Sequence, residues 1–558
     1  MTAIDSSTNP PEKKKRQYSI VHSTLLLMVL FGIAKVISLG QTVVIANVFG
    51  LDGSWDAYVT ANRIPALIVD LISGGALGHA FIPIFSGYLA RDEKIDGYKL
   101  ASRLVNIVFI VALIMSIVTY IFAPWLITNW IAPGFADNPE TLQNTIRMMR
   151  LLLLGSIIFA VSGIFSSIIH SHNQFLLPAL APIMYDLGIL FGVLFLLDQF
   201  GIYGVAIGTV IGAAGHLLIQ VPGVIRNGGK WYPTLGISIE RMKVHFTDPD
   251  LLRVIRLMIP RVLGLFVFQL NFIVMTNIAS QLGEGSVSAL DWGYRIVQIP
   301  QTLLGTAMGI VIFPTLAALS AVNDGIGKRN AMSGALKFIL VTGIPSAIGL
   351  ILVGRPLLSL LERGAFDASA TELVYTTLVA FTLGLIVQSM LEIVARSFYA
   401  DKDTWTPLWT ALAGTALNIG LAVWLSGIYL SENPPMENVM WLAFANSMGF
   451  ALEVGILILI LRKRWNGINE KSIIVTALKT ILASLVMGAG VFAIGQIFAY
   501  FGLQERLLYT VVQLLFQVLV GGGIFLVTTL LLGMEEVKDI IRILLRRNKA
   551  ELESVQTA

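Results

Sequence analysis

The sequence contains no cysteine in 558 residues, and only 13% of it is Asp, Glu, Lys or Arg. Without cysteine there are no disulfides, thiolate metal sites or cysteine nucleophiles. The shortage of charge excludes a soluble enzyme of this length, because soluble domains carry about 25% charged residues. The chain also lacks a Gly-x4-Gly-Lys-Ser/Thr phosphate loop, so P-loop nucleotide hydrolysis is not its source of energy. The apolar–polar alternation of outer-membrane barrel strands is missing too. The longest polar connection, Arg226–Pro249, is too short for a separate domain. What is present is apolar: 56% of the residues are hydrophobic and the mean hydropathy is +0.78. The apolar residues run continuously, as in Thr24–Ile33 and Leu104–Trp125. The chain therefore reads as an integral membrane protein spanned by helices.

A spanning helix takes about 20 apolar residues, and the chain divides into fourteen such stretches. They fall near 19–48, 56–90, 103–130, 146–171, 175–198, 201–224, 252–280, 286–319, 334–361, 370–398, 405–428, 437–461, 472–500 and 506–533. The first two exceed what a straight span needs, which predicts tilt or protrusion. Cations sort by side. Of the 38 Lys and Arg, 29 fall on one set of alternate ends and loops, five on the other, and four (Lys35, Arg63, Arg261, Arg295) within or at the edge of helices. By the positive-inside rule both termini are expected in the cytoplasm. The formal net charge of +4 is thus topological and does not point to nucleic acid. Lys13–Arg16 precedes an apolar run too long for a signal peptide, so a retained first helix is expected.

The chain also repeats itself. Phe81-Ile82-Pro83 matches Ile312-Phe313-Pro314, Phe135 matches Phe366, Pro178 matches Pro407, and Arg63 matches Arg295, all at an offset near 230. The expected fold class is an all-α polytopic membrane protein with 14 transmembrane helices. Helices 1–6 and 7–12 form two parallel six-helix repeats, and two C-terminal helices are added. The corresponding domains are a basic cytoplasmic tail (1–18), an N-lobe (19–225), a cytoplasmic linker (226–250) and a C-lobe (251–464). Helices 13–14 (465–534) and an amphipathic cytoplasmic tail (535–558) follow. Parallel repeats predict a substrate path between lobes and rocking alternation of access. Prolines in the spans (Pro65, Pro83, Pro182, Pro260, Pro300, Pro314, Pro345) predict bends, or static kinks.

Charges inside a bilayer are costly, so each is expected to face a cavity or a partner. The candidates are Lys35, Gln41, Asp56, Arg63, Asp70, His79 and Asp186 in the first half, and Arg261, Asn271, Asp291, Arg295, Glu392 and Glu453 in the second. The cations gather on the first two helices of each repeat. One reading is a site for an anionic headgroup, with Lys35, Arg63 and Arg295 as phosphate donors. The other is structural. Asp291 and Arg295 have i,i+4 spacing and could pair, Asp56 could cap a helix after Gly53-Ser54, and Arg261 could snorkel. Asn271, Thr415 and Asn418 could form a cation site or serve as helix–helix glue. Gly75-x-x-Gly78-His79 and Gly212-x-x-Gly215-His216 read as packing faces.

Several segments together resemble the MurJ/MviN lipid II flippase family of the multidrug/oligosaccharide-lipid/polysaccharide exporter superfamily. They are Val48-Phe49-Gly50, Asp56-Ala57-Tyr58, Arg63-Ile64-Pro65, Gly75-Ala76, Ala80-Phe81-Ile82-Pro83, Ala132-Pro133-Gly134-Phe135, Leu251 through Pro260, and Tyr294-Arg295 through Pro300, Leu304-Gly305 and Pro314. The resemblance covers nearly the whole chain. It implies a flippase, not an enzyme, that moves polyprenyl-pyrophosphate-linked peptidoglycan precursor (lipid II) from the inner to the outer leaflet. It also implies a cationic cavity for the headgroup, to which Lys35, Asp56, Arg63, Arg295 and Arg261 would contribute. The pattern departs at Gln41 and Val69, where the family has arginines, and at Tyr294, where it has an acid. No cofactor or metal is expected; a membrane potential or an ion gradient would drive the cycle. The implied partners are the lipid-linked glycan, membrane lipids and the cell-wall synthesis machinery, with no nucleic acid. The implied location is the bacterial cytoplasmic (inner) membrane. A flippase for another lipid-linked oligosaccharide, a cation-coupled drug exporter and a non-transporting cell-wall scaffold are the alternatives.

Overall fold

A computed structural model describes residues 33–34, 36–72, 76–172, 174–230, 232, 249–431, 434–500 and 507–538. The structured chain is helical nearly throughout. The first helices are short: α1 (Val36–Phe49), α2 (Gly53–Ala61), α3 (Arg63–Ile72) and α4 (Ala76–Ala90). Long apolar helices follow: α5 (Lys94–Ile131), α6 (Pro139–Ser171), α7 (Leu176–Phe200) and α8 (Tyr203–Arg226). The remainder comprises α9 (Pro249–Ser280), α10 (Ser286–Ala321), α11 (Gly325–Ser359), α12 (Ala368–Thr382), α13 (Leu385–Ala400), α14 (Trp405–Ser426), α15 (Met436–Arg464), α16 (Glu470–Tyr500) and α17 (Leu507–Leu531).

Eleven helices among the described residues are long and apolar enough to cross a membrane, and α12 with α13 makes a twelfth as a bent pair. Each overlaps one of the stretches expected from sequence, and several extend beyond it, as α5 does from Lys94. The all-helical polytopic class therefore holds. Residues 19–32 of the first expected stretch, and the expected tails, lie outside the described residues.

Within the second expected stretch the helix breaks between Ala61 and Arg63, and Pro65 accounts for this break. It has no N–H to offer the carbonyl of Ala61, so the ladder loses a rung where α2 ends and Arg63 opens α3. Elsewhere proline does not interrupt. Pro83, Pro182, Pro314 and Pro345 sit inside continuous helices. A bend of 41° between α12 and α13 contains no proline. It falls at Gly384, where any Cβ would strike the Ser447 side chain of α15. Single π-helical turns interrupt three other helices, at Ile127–Ile131, Gly192–Leu196 and Thr302–Thr306.

The chain forms two compact units. The first comprises residues 1–45, 57–130 and 135–269. Its tightest seam is α7 against α8, where Gly188 and Gly192 meet Gly204, Gly208 and Gly212 backbone to backbone. A Cβ at Gly188 or Gly208 would overlap the opposite main chain, so small residues are obligatory here. Gly212 of the Gly-x-x-Gly-His segment packs on the Tyr185 backbone. Beside it His216 joins a polar network across α6 and α8. Its Nδ1 lies 2.8 Å from Ser162 Oγ, Gln220 donates to Ser162 Oγ at 2.8 Å, and Ser166 donates to Gln220 at 2.6 Å.

The second unit comprises residues 46–56, 131–134 and 270–558. Its core gathers Leu316, Met332, Leu336, Ile339, Ile393, Val394, Phe398, Leu457 and Leu461, from α10, α11, α13 and α15. Two loops that matched in the sequence repeat take matching seats in it. Gly134 donates its N–H to Ser280 Oγ at the end of α9 (3.3 Å), and Ala365 donates to the carbonyl of Asn47 near the end of α1 (2.8 Å). Gly364 turns there at φ +60°, and a Cβ on it would overlap Asn47.

Candidate functional site

Asp56 is fully buried, with 0% exposure. A buried carboxylate needs donors, and Asp56 finds them at the first turn of α10. The backbone N–H groups of Gly285 and Ser288 each reach it at 2.7 Å, and the Ser288 hydroxyl donates as well. In return, Glu284 accepts the N–H of Gly53 at 2.7 Å, at the first residue of α2. Each acid thus satisfies orphan amides at the other segment's helix start, as a capping side chain does. The capping role open to Asp56 in the sequence therefore falls on α10, 229 to 232 residues away, rather than on its own helix. Around it the rings of Phe49 and Trp55 stack at 5.6 Å, and Trp55 meets Trp292 at 6.4 Å.

That seat fixes the opening of α10, and Arg295 lies on the same helix. Arg295 Nε donates to Asp291 Oδ2 at 2.5 Å, one turn earlier. The Asp291 side chain is 10% exposed and that of Arg295 is 58% exposed. A buried acid thus orients an outward guanidinium. Tyr294, where the family pattern has an acid, packs its ring between Phe272 (4.7 Å) and Phe381 (5.4 Å).

In the first unit Arg63 opens α3 and is half-buried. Asp70, two turns along α3, accepts a hydrogen bond from Gln269 of α9. Gln41 on α1 is buried and Val69 half-buried. Lys35 and the side chains of Arg261 and His79 lie outside the described residues.

The expected cation-site residues are brought together in part. Asn418 of α14 donates to Asn271 of α9, and both are buried; Thr415 is half-buried beside them on α14. Asn418 Oδ1 is buried with no hydrogen-bond partner, as is Asn446 Oδ1 on α15, whose amide points at Met275 Sδ (3.7 Å). Asn446 and the Glu284–Gly53 bond were not singled out from sequence. The signal for the second was present: Gly53-Ser54 and Gly285-Ser286 recur at an offset of 232, the same as Arg63 and Arg295.

Long apolar helices, glycine-lined seams and paired or capped charges inside them define a polytopic helical membrane transporter. The comparisons carry this further. A family model described as "Lipid II flippase MurJ" matches residues 45–512. The chain belongs to the MurJ family. It is 26% identical over 453 residues to the lipid II flippase MurJ of Burkholderia cenocepacia, covering 79% of this chain and 83% of that one. It is 28% identical over 525 residues to a probable lipid II flippase MurJ of Rhizobium tropici, covering 93% and 95%. Among solved structures, lipid II flippase MurJ in an inward closed conformation superposes with a TM-score of 0.73 at 25% identity, covering 93% of this chain and all of that one. A multidrug resistance MATE family transporter in an inward-facing conformation matches at 0.62 with 14% identity, over 78% and 96%, a likeness of fold alone. The protein is a multi-pass protein of the bacterial inner membrane.

Proposed function

We propose that the chain is a lipid II flippase that carries the polyprenyl-pyrophosphate-linked peptidoglycan precursor from the inner to the outer leaflet by alternating access. The observation that carries this is the family match across residues 45–512, joined to the 0.73 superposition on a MurJ structure. It is a transporter rather than an enzyme. The site residues are proposals in their own right. Arg63 and Arg295 grip the pyrophosphate, since a guanidinium offers phosphate a two-pronged donor, with Lys35 and Arg261 adding charge. Asp56 acts by holding the start of α10, and thereby the helix that bears Arg295, rather than by touching the substrate.

The drive we propose is the membrane potential or an ion gradient. Moving an anionic headgroup outward, down an inside-negative potential, yields ~2.3 kcal/mol per charge per 100 mV. A cation at Asn271, Thr415 and Asn418 is supported by the undonated oxygen of Asn418, which is free to coordinate. If so, sodium in place of choline raises the melting temperature of the wild-type protein, and Asn418→Ala removes that rise. The 29-to-5 division of cations supports cytoplasmic termini. The cell-wall synthesis machinery is the proposed partner.

One observation favours a second reading, a flippase for another lipid-linked glycan. Gln41 and Val69 stand where the family pattern has arginines, and the neighbouring Asp70 is bound to Gln269. Complementation decides between the two. A strain depleted of its own lipid II flippase grows when this chain is expressed if lipid II is the cargo. It does not grow if the cargo is another glycan, if the chain exports drugs, or if it is a scaffold.

A further inference from the structure

Helices α14 and α15 cross at two glycines. A Cβ on Gly414 would lie 2.7 Å from the Gly449 carbonyl and 3.1 Å from the Glu453 Cβ. A Cβ on Gly449 would lie 2.7 Å from the Gly414 carbonyl and 2.9 Å from the Asn418 Cβ. Glu453 and Asn418 therefore flank the crossing, each one helical turn from its own helix's glycine, and Asn446 lies three residues before Gly449 on α15. The three form a polar ladder inside an apolar pair of helices.

Glu453 is 8% exposed. Its carboxyl has no hydrogen bond and no ion pair among the described residues, unlike Asp56, Asp70 and Asp291, which all have donors. The ladder cannot supply one, because the amide of Asn418 is directed at Asn271 and that of Asn446 at Met275. Nor do the neighbouring helices. α14 carries no ionisable group. On α13, Glu392 and Arg396 pair with each other at 3.2 Å, and Tyr399 is the other titratable group. On α12, Glu372 pairs with Arg355 at 3.0 Å and Tyr375 donates to the Ile351 carbonyl. On α10, Asp291 pairs with Arg295, beside Tyr294, and on α9, which meets α14 at Asn271 and α15 at Met275, the ionisable groups Asp250, Arg253, Arg256 and Arg261 all precede the segment Val262–Ser280, which carries none. An ionised carboxylate in such a place would be a buried charge with nothing among the described residues to offset it, so the group neutralises instead.

We propose that Glu453 is a proton-binding site: closed between α14 and α15 it is the neutral acid, and it exchanges its proton with water when that crossing loosens during transport. On release the carboxyl O–H bond breaks and the proton passes to water, leaving carboxylate; on closure the carboxylate takes a proton back from hydronium. The protonation is independent of the cargo, while the exchange rests on the transport reading above.

The test uses the full-length chain in lipid nanodiscs and infrared difference spectra between acidic and alkaline buffer. Wild type is expected to show a protonated carboxylic acid in apolar surroundings at pH values where a solvent-exposed glutamate is already ionised, and Glu453→Gln to lose that band. Glu453→Asp, a smaller change for the fold, is expected to keep a band at a shifted frequency. A band unchanged in Glu453→Gln overturns the proposal. For the exchange, transport by wild type is expected to change with pH and that by Glu453→Gln to lose the dependence; an identical pH profile in the two overturns it. Failure of the flippase reading shows separately, as a wild-type chain that does not support a flippase-depleted strain.

Discussion

Asp291 and Arg295 show how little separates a structural pair from a binding group. The i,i+4 spacing was legible in the sequence, and the geometry makes both readings apply at once: the acid is buried and the guanidinium it orients points outward. If Arg295 then meets phosphate, Arg295→Ala removes a charge-assisted bond of about 1.5–3 kcal/mol and lowers transport by roughly 10- to 100-fold. Arg295→Lys restores little of it, because an ammonium has no fork. Asp291→Asn should give a milder loss with unchanged expression. Measured transport in proteoliposomes checks all three. Asp56 carries a different expectation. Asp56→Ala strands the amides of Gly285 and Ser288, and should cost about 1–3 kcal/mol of stability, read as a lower melting temperature in detergent. Asp56→Asn keeps one acceptor and should recover part of it. The sequence marked Asp56 as special, but its partners lie more than 220 residues away, and no local spacing reveals them.

Helix existence was legible because apolar runs this long admit no other spanning form. Helix interruption was legible only in part: Pro65 marks the break between α2 and α3. Prolines were expected to mark bends or static kinks; four of them sit inside continuous helices, and the 41° bend between α12 and α13 lies at Gly384, where there is no proline. The cause is tertiary, a close approach of Ser447 that only glycine admits, and the local sequence carries no sign of it. Gly384→Leu and Gly208→Leu should each sharply reduce folded protein in the membrane, while Gly264→Leu, with open space around it, should not. Quantitative fluorescence size-exclusion of tagged variants checks this. The α13–α14 turn makes a pH prediction. Burial opposes charge on Asp403, but hydrogen bonds from Thr406 and Arg464 outweigh it and hold the carboxyl below its usual range. Its stabilisation is therefore present above the unfolded carboxylate pKa and fades as pH falls through the lower folded one. The pair is partly exposed, so the effect stays under about 1 kcal/mol. Asp403→Asn should lower the melting temperature at neutral pH and leave it unchanged in acid.

For the whole molecule, the scarcity of charge set the class and the family segments set the likeness, and both agree with the fold. The repeat offset near 230 anticipated matching loops, and the structure adds that these loops and helix starts reach across the repeat, Gly134 to Ser280 and Ala365 to Asn47. What stayed illegible is what depends on packing at long separation: the seat of Asp56 and the crossing that brings Glu453 and Asn418 together; the grouping of Asn271 with Asn418 was legible. The central claim is that this arrangement moves lipid II. Its most direct measurement is expression of the chain in a strain whose own lipid II flippase is depleted, with the leaflet distribution of lipid II followed in the same cells. The account predicts restored growth and lipid II in the outer leaflet, with Arg63→Ala and Arg295→Ala restoring neither. Lipid II that stays in the inner leaflet, in cells that express the folded wild-type chain, would contradict it.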